Sequence, residues 1–539
     1  MPWECAVTAD AGNRLADRLR TLVRGRVLAD RSSLRRYSQD QSIYRIEPRA
    51  VVLPDDPEDM ARLVDFASRE GVAITARGGG SGTAGAALGS GIVMALPDGG
   101  PWDRIDRFSA AGSSALVRAG AGVYHNRLQD YLRQRGFFLP ADVSSAEISR
   151  IGGNIATRAS GPHALRYGSI DRFVERVTFI TDQGETVDTG DEKTIPDRFS
   201  ARLTGLQRRL LADLPARELL ESRRGLKTAS GYNLSAFLDN LPIGQLIAGL
   251  LAGSVGTLGL VTDATLRVEV HEPDRAAVLL HFDDLTETAR AVCALLALAP
   301  AAIELISRET AAILRSRTDL PESLAVDAHL LLVELSGPAA RAEAEKVVGV
   351  ARAEGLRLSA PPVVALDKGR IDRLWALRKR ILWLISHPRP GFQALTVVND
   401  VGVPPERLAA FVGEAERLFA RHGLTAVIYG HAGNGNLHLR PLFDLTLPGL
   451  PGRIRRLADE VYESVLRHGG TVTAEHGMGR LRAPYLEREW GPALYSYMRE
   501  VKDIFDPREL FNPGVMFSDR PITDHMREEL LAAGSGTGD

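Results

Sequence analysis

Cysteine is nearly absent: Cys5 and Cys293 are the only two among 539 residues. Two thiols cannot build a disulfide framework or hold an iron–sulfur cluster within this chain, so any cluster it works with belongs to a partner. An excess of charge of either sign is absent as well. Lys plus Arg number 66 against 68 for Asp plus Glu, a formal net charge of -2, which points away from a nucleic-acid surface and requires any anionic substrate to be met by a local positive field. No uninterrupted apolar run is long enough for a membrane span. The stretch Leu241 to Thr262 carries no charge, but Pro242, Gln245, Ser254, Thr257 and glycines 244, 249, 253, 256 and 259 punctuate it. It reads as a helix, a glycine-rich turn and a strand, where a span needs about 20 predominantly apolar residues. The N-terminus MPWECAVTADAGNRLADRL has no basic segment followed by an apolar core, so the sequence shows no secretory signal and points to a reducing cytoplasmic setting.

What is present is a 44% hydrophobic content, sufficient for more than one core, and a length that suggests two to four domains, counted roughly. Leu15, Leu19, Leu22 and Val23 recur near helical spacing in an N-terminal helical arm, residues 1–41. RAVVLP (Arg49 to Pro54) reads as a strand, DPEDMARLVDFASREG as a capped helix ending at Gly71, and VAITA as a second strand. RGGGSGTAG, Arg77 to Gly85, then leads into another strand, GIVMAL. A nicotinamide-type dinucleotide fold places its glycines between a strand and a helix, so this order argues against one. Glycine backbone can still cradle phosphate. Two more glycine-rich regions, Ile148 to Val174 and the GSVGTLG loop at Gly253 to Gly259, suggest one long ligand wrapped by backbone. After His271 strands such as AAVLLHF, HLLLVEL and LTVVNDVGV alternate with amphipathic helices, an α+β pattern.

Two stretches near the C-terminus carry the chemistry: YGHAGNGNLHLRP (Tyr429 to Pro441) and AEHGMGR (Ala474 to Arg480). The first reads as a hairpin whose alternation puts His431 and His438 on one face, as facing residues about 4.5–5.5 Å apart at Cβ. With Glu475 they form a His/His/Glu set that leaves a coordination position open, the arrangement of a catalytic centre for zinc or manganese. His476 stands beside it. The bland alternative is that these histidines are hairpin and loop residues bonded to backbone. Arg440 falls on the same strand face as His438 and is a candidate anion anchor.

These stretches, with SGYNL (Ser230 to Leu234) and FDPRELFNPG (Phe505 to Gly514), resemble the vanillyl-alcohol-oxidase/p-cresol-methylhydroxylase (PCMH) flavoproteins. The Tyr429 and Ala474 motifs resemble, within that superfamily, the FAD-linked dehydrogenases of D-2-hydroxy acids: D-lactate dehydrogenase, D-2-hydroxyglutarate dehydrogenase and the glycolate-oxidase flavin subunit. The resemblance implies an α+β fold: a two-subdomain PCMH-type FAD-binding domain (42–270), an α+β substrate or cap domain (271–420) and a C-terminal segment returning to the flavin (421–517); the tail 518–539, ending AAGSGTGD, reads as disordered. It implies FAD contacts from Arg77, Gly78, Gly79, Gly80, Ser81, Gly82, Thr83, Pro140, Asp142, Ser144, Ser145, Ile151, Gly152, Gly153, Asn154, Ser160, Gly161, Gly253, Gly256, Thr257, Gly259, Val261 and Asn512. It makes His431, His438 and Glu475 ligands of a divalent ion, His476 the base and Arg378, from LWALRKR, the anchor for the substrate carboxylate. Ser81 stands where some relatives attach FAD through histidine, which implies non-covalent FAD. Val255, in place of a common glutamate, and Val398 with Asn399 depart from the pattern.

The activity implied is oxidation of a D-2-hydroxy acid to the 2-oxo acid, with hydride passing to flavin N5. Electrons then go to an external acceptor: a separate iron–sulfur subunit, an electron-transfer flavoprotein or a quinone. A homodimer and peripheral association with the inner membrane are left open. The alternatives are a non-catalytic or electron-relay FAD subunit and a flavin-dependent transferase of the alkylglycerone-phosphate synthase type.

Overall fold

A computed structural model describes residues 9–317, 327–385 and 391–532; the first eight residues of the arm and 533–539 of the expected tail lie outside the described residues. The first sheet holds β1 (Arg26–Leu28), β2 (Ala50–Leu53), β3 (Ile74–Arg77) and β4 (Ile92–Ala95) in the order β1-β2-β4-β3. β4 runs parallel to both β2 and β3. β2 and β3, which flank β4 and run parallel to it, are joined by a crossover, the helix Pro57–Glu70. That helix begins where the Asp56 side chain accepts the Asp59 N–H, has Pro57 in its first turn, and stops at Gly71 with φ 61°. Its Met60, Leu63 and Val64 are buried together with Leu15 and Leu19 of the helix Ala9–Leu22. The arm is therefore not a separate element: β1 pairs with β2 and its helix completes this core.

The second sheet is antiparallel: β5 (Ile105–Ala111), β6 (Ser114–Gly120), β7 (Phe137–Phe138), β8 (Val174–Ile180), β9 (Thr186–Asp188) and β10 (Leu260–Val270), in the order β5-β6-β10-β8-β9 with β7 beside β10. Along β10, Ala264, Leu266 and Val268 are buried while the residues between them are half-exposed, the alternation of a sheet solvated on one side. The buried face packs on the helix Asp197–Ala212 and on Val501, Ile504 and Phe505 from the helix Leu486–Phe505, so the chain's C-terminal part returns to this unit. The uncharged stretch before β10 is the helix Ile243–Leu251 and a loop. No described helix is long and apolar enough to cross a membrane.

The third sheet takes β11 (Arg275–Phe282), β12 (Ala302–Ile306), β13 (His329–Ser336), β14 (Val363–Ala365), β15 (Phe392–Ala394), β16 (Asn399–Gly402), β17 (Ala426–His431) and β18 (Asn436–Asp444). The order is β14-β11-β13-β12-β17-β18-β15, with β16 beside β18. The boundary drawn at residue 420 thus cuts through one sheet, because β17 hydrogen-bonds to β12. One face is covered by helices including Leu408–Arg421 and Leu450–Arg467. The other meets Trp375 and its neighbours on the helix Lys368–Ile385 and also carries the polar residues described below. The expected disordered tail is corrected over 518–532: Ile522, Met526 and Leu530 are buried, Met526 bridges Tyr44, and Tyr44 Oη donates to Ile522 O at 2.8 Å.

Candidate functional site

A cavity of about 1390 Å³ opens between the glycine loops and the polar face of the third sheet, larger than the roughly 300–1,000 Å³ of a usual small-molecule pocket. Its glycine-rich wall includes, of the residues expected to contact FAD, all of 77–83, Pro140, Asp142, Ser144, Ser145, Gly152, Gly153, Asn154, Ser160, Gly256, Gly259 and Val261. Ile151, Gly161, Gly253, Thr257 and Asn512 stand behind this wall. Ile151 is core, Gly161 packs on the Asp142 carbonyl, and the Asn512 amide donates to Ala86 O and Val255 O at 2.8 Å each, bracing two loops. Val255 itself sits at φ 47°, unfavourable for a β-branched residue and held there by that brace and by its own N–H on Ala156 O at 2.7 Å. A Cβ on Gly153 would meet nothing within 4 Å, whereas one on Gly79 would lie 1.8 Å from Ile148 O. Gly153 thus leaves space for a ligand and Gly79 lets two chain segments touch. The buried Thr83 and Ser149 hydroxyls have no partner among the described residues. A backbone-lined trough with free hydroxyls fits a long phosphate-bearing ligand such as FAD.

Opposite this wall lies the histidine cluster. Tyr429, and not His431, faces His438 across the β17–β18 pair, so the two histidines share a face on the diagonal, ring centroids 5.3 Å apart and nearly perpendicular. The hairpin turns through Ala432–Asn434 and Gly435, at φ 67°. Three imidazole Nε2 atoms converge on Glu475 Oε1: His431 at 3.3 Å, His438 at 3.4 Å and His476 at 3.5 Å. His438 and His476 stack at 5.3 Å. Asp400, His438, Glu475 and His476 bring ligand atoms within 4.8 Å of one another, a set that includes two of the three expected ligands, His438 and Glu475, and not His431. Of the three histidines, His476 is the accessible one, its side chain 28% exposed against 1% for His431 and 5% for His438.

The charges suit a cation. Burial opposes ionisation of Glu475, yet Lys227 and then His431 hold its carboxyl well below the ordinary range. Burial lowers His438 to about 4 and also lowers His476, leaving both neutral near pH 7. For His431 burial is outweighed by Glu304 and Glu475, which raise its pKa. The Nδ1 of His438 is buried without a partner among the described residues. Neutral His438 and His476 beside ionised Glu475 and Asp400 form a donor set that fits a divalent ion, and His431 joins it by releasing its Nε2 proton.

Arg378 and Arg440 both line the cavity. Arg440 is 6% exposed, its Nε has no partner, and no ion pair to it occurs among the described residues. Arg378, expected from LWALRKR to anchor a substrate carboxylate, is also held by a protein carboxylate: its Nε donates to Glu304 Oε2 at 2.5 Å, and its guanidinium lies 4.9 Å from the Tyr429 ring centroid.

Three contributors escaped the sequence reading. Lys227 Nζ donates to Glu475 Oε2 at 2.7 Å and to Asn436 Oδ1 at 3.0 Å. Asp400, at φ 76°, accepts the backbone N–H groups of Glu475 at 3.1 Å and His476 at 2.8 Å and the Thr473 hydroxyl at 2.7 Å, fixing the turn that presents the cluster. Glu304 accepts from His431 Nδ1 at 2.5 Å. The available signal was a lone charge in an apolar run, as in AAIELIS and TVVNDVGV, since such residues are seldom buried unless paired.

Comparison with known proteins gives two matching family profiles: the FAD binding domain over residues 48–190 and the FAD linked oxidases C-terminal domain over 272–516. D-2-hydroxyglutarate dehydrogenase of Stutzerimonas stutzeri is 29% identical over 94% of this chain and 99% of its own length. The Escherichia coli protein of that name is 28% identical over 90% of the chain, which spans about half (49%) of that relative's length. Among solved structures, p-cresol methylhydroxylase with substrate bound superimposes with a TM-score of 0.70 at 15% identity, covering 95% of this chain and 98% of that one.

Proposed function

From a chain that belongs to the FAD-linked oxidase family, we propose oxidation of a D-2-hydroxy acid to the 2-oxo acid, with non-covalent FAD and a divalent metal at His431, His438 and Glu475. The convergence of three imidazoles on one oxygen of Glu475, which lines the cavity together with His438 and His476 while His431 stands behind them, carries this reading. When bound, flavin supplies the hydride acceptor and the metal a Lewis acid that lowers the hydroxyl pKa.

The protein's own part is positioning and proton transfer. Arg440, buried and without an ion pair among the described residues, receives the substrate carboxylate, with Arg378 as second anchor. His476 takes the hydroxyl proton at Nε2. Burial keeps this ring neutral beforehand, and the imidazolium formed stands 3.5 Å from both Asp400 Oδ2 and Glu475 Oε1, which stabilise it.

Two cysteines leave no cluster in this chain, so electrons pass to an external acceptor: a separate iron–sulfur subunit, an electron-transfer flavoprotein or a quinone. A cytoplasmic setting is part of the same proposal. The test is an anaerobic screen of D- and L-2-hydroxy acids, including D-lactate, D-2-hydroxyglutarate and glycolate, following flavin absorbance with and without chelator. D-isomers should bleach the flavin and chelation should stop it; bleaching by no hydroxy acid would refute the proposal.

A further inference from the structure

Glu304 lies in the middle of the third sheet with no exposed surface. It stands one residue beyond the Leu305–Gly430 pair of β12 and β17, so the strand register brings it against His431. Both carboxylate oxygens are committed. Oε1 accepts from His431 Nδ1 and Oε2 from Arg378 Nε, each at 2.5 Å.

Each bond fixes a direction. With its proton on Nδ1 facing Glu304, His431 turns Nε2 toward Glu475 Oε1, 3.3 Å away, where the metal position lies. With Nε held by the same carboxylate, Arg378 is left its terminal nitrogens for the cavity it lines. One buried side chain therefore aims two groups that act on different parts of the substrate. The sequence separation is large: 74 residues from Glu304 to Arg378 and 127 to His431.

We propose that Glu304 is a positioning residue that joins the metal-binding imidazole and the carboxylate-binding guanidinium into one unit, so that metal affinity and hydroxy-acid affinity change together. This rests on the reading of His431 as a metal ligand and Arg378 as an anchor. A glutamine at 304 keeps the shape but offers one acceptor oxygen for two donors, leaving one of them unmatched.

The experiment compares FAD-loaded wild type, Glu304→Gln and Arg378→Met. Affinity for Mn²⁺ and Zn²⁺ is read by competition with a chromophoric chelator, KM and kcat by anaerobic flavin reduction, and the His431 Nδ1 proton by long-range ¹⁵N–¹H spectra of histidine-labelled protein. Glu304→Gln should weaken metal binding by about 10- to 100-fold, raise KM in parallel and leave kcat unchanged at saturating metal and acid. Arg378→Met should raise KM with metal affinity intact. The wild-type spectrum should show a downfield Nδ1 proton on His431, a readout that does not depend on any variant folding. A His431 with bare Nδ1, or an E304Q protein that folds and matches wild type in either metal affinity or KM, would overturn the coupling alone. A wild type that binds neither ion and is bleached by no acid would overturn the functional reading and the coupling with it.

Discussion

The two walls of the cavity are built on opposite principles. The glycine-rich wall is made of backbone: loops at 77–83, 152–161 and 253–259 whose glycines either leave room for a ligand, as Gly153 does, or let chain segments touch, as Gly79 does. The opposite wall is made of side chains. His438, Arg440, Glu475 and His476 line it, and His431, Asp400, Lys227 and Glu304 stand behind, joined to them by hydrogen bonds and ion pairs. Backbone can bind a cofactor without taking part in its chemistry, while proton transfer and metal binding need titratable groups. The first wall should therefore tolerate changes by their effect on shape, and the second by their effect on charge.

The largest effects should come from the second wall. His431→Ala should abolish substrate-dependent bleaching while FAD remains bound at wild-type stoichiometry, measured by absorbance after desalting; unchanged turnover would remove the metal role. His476→Ala should cut the rate of flavin reduction by about 10²- to 10⁴-fold with little change in metal content, and loss of metal in that variant would move His476 from base to ligand.

Lys227→Met tests charge dependence through stability. Both partners of the Lys227–Glu475 pair are buried, with side-chain exposures of 7% and 5%. Removing one partner of such a pair costs about 3–5 kcal/mol. The metal-free variant should unfold at markedly lower denaturant, and Zn²⁺ or Mn²⁺ should restore much of the loss by pairing with Glu475. A loss that metal does not reduce would place the carboxylate outside the ion's reach.

Glycine substitutions sharpen the contrast on the first wall. Gly79→Ala should destabilise the protein by about 1–3 kcal/mol or more, because its Cβ would lie 1.8 Å from the Ile148 carbonyl oxygen. Gly153→Ala should leave thermal stability of the apoprotein near wild type and reduce FAD occupancy instead. Equal behaviour of the two would erase the distinction between packing and ligand-facing glycines.

The last contrast concerns the join between the walls. His163 puts Nδ1 2.5 Å from Asp142 Oδ2 and Nε2 2.9 Å from Glu334 Oε1, and Glu334 also receives Arg275 and Trp375. Burial works against charge on this ring, but Asp142 and then Glu334 outweigh it and raise its pKa to about 10. A raised pKa contributes stability that is complete below the ordinary histidine value near 6.5 and is lost as pH climbs through about 10. Denaturation midpoints should fall over that window in the wild type and fall less in His163→Gln; parallel curves would show that His163 contributes no such term.

Much of the first wall was legible in the sequence, since strand, capped helix, strand and glycine loop follow from local rules. Asp56 and Pro57 start the helix Pro57–Glu70 and Gly71 ends it. The pair of motifs that holds His431, His438, Glu475 and His476 was legible too, because ligand-type residues flanked by glycine stand out in any context. The details of the pairing did not follow: alternation gave the shared face of His431 and His438, but the turn through Gly435 set the register that makes them diagonal rather than opposite.

By itself, the sequence determined the periodicities, the caps, the glycine spacing and the residue types that chemistry requires, all properties of segments a few residues long. Tertiary structure alone decided which distant charges meet. Lys227 reaches Glu475 across 248 residues and Asp400 holds the Glu475–His476 turn across 75 and 76. The fold also drew the arm and the 518–532 segment into cores that their own composition does not announce. The physical reason is that a buried charge is stable only beside its partner, and that partner is chosen by sheet order and helix packing, which no local pattern encodes.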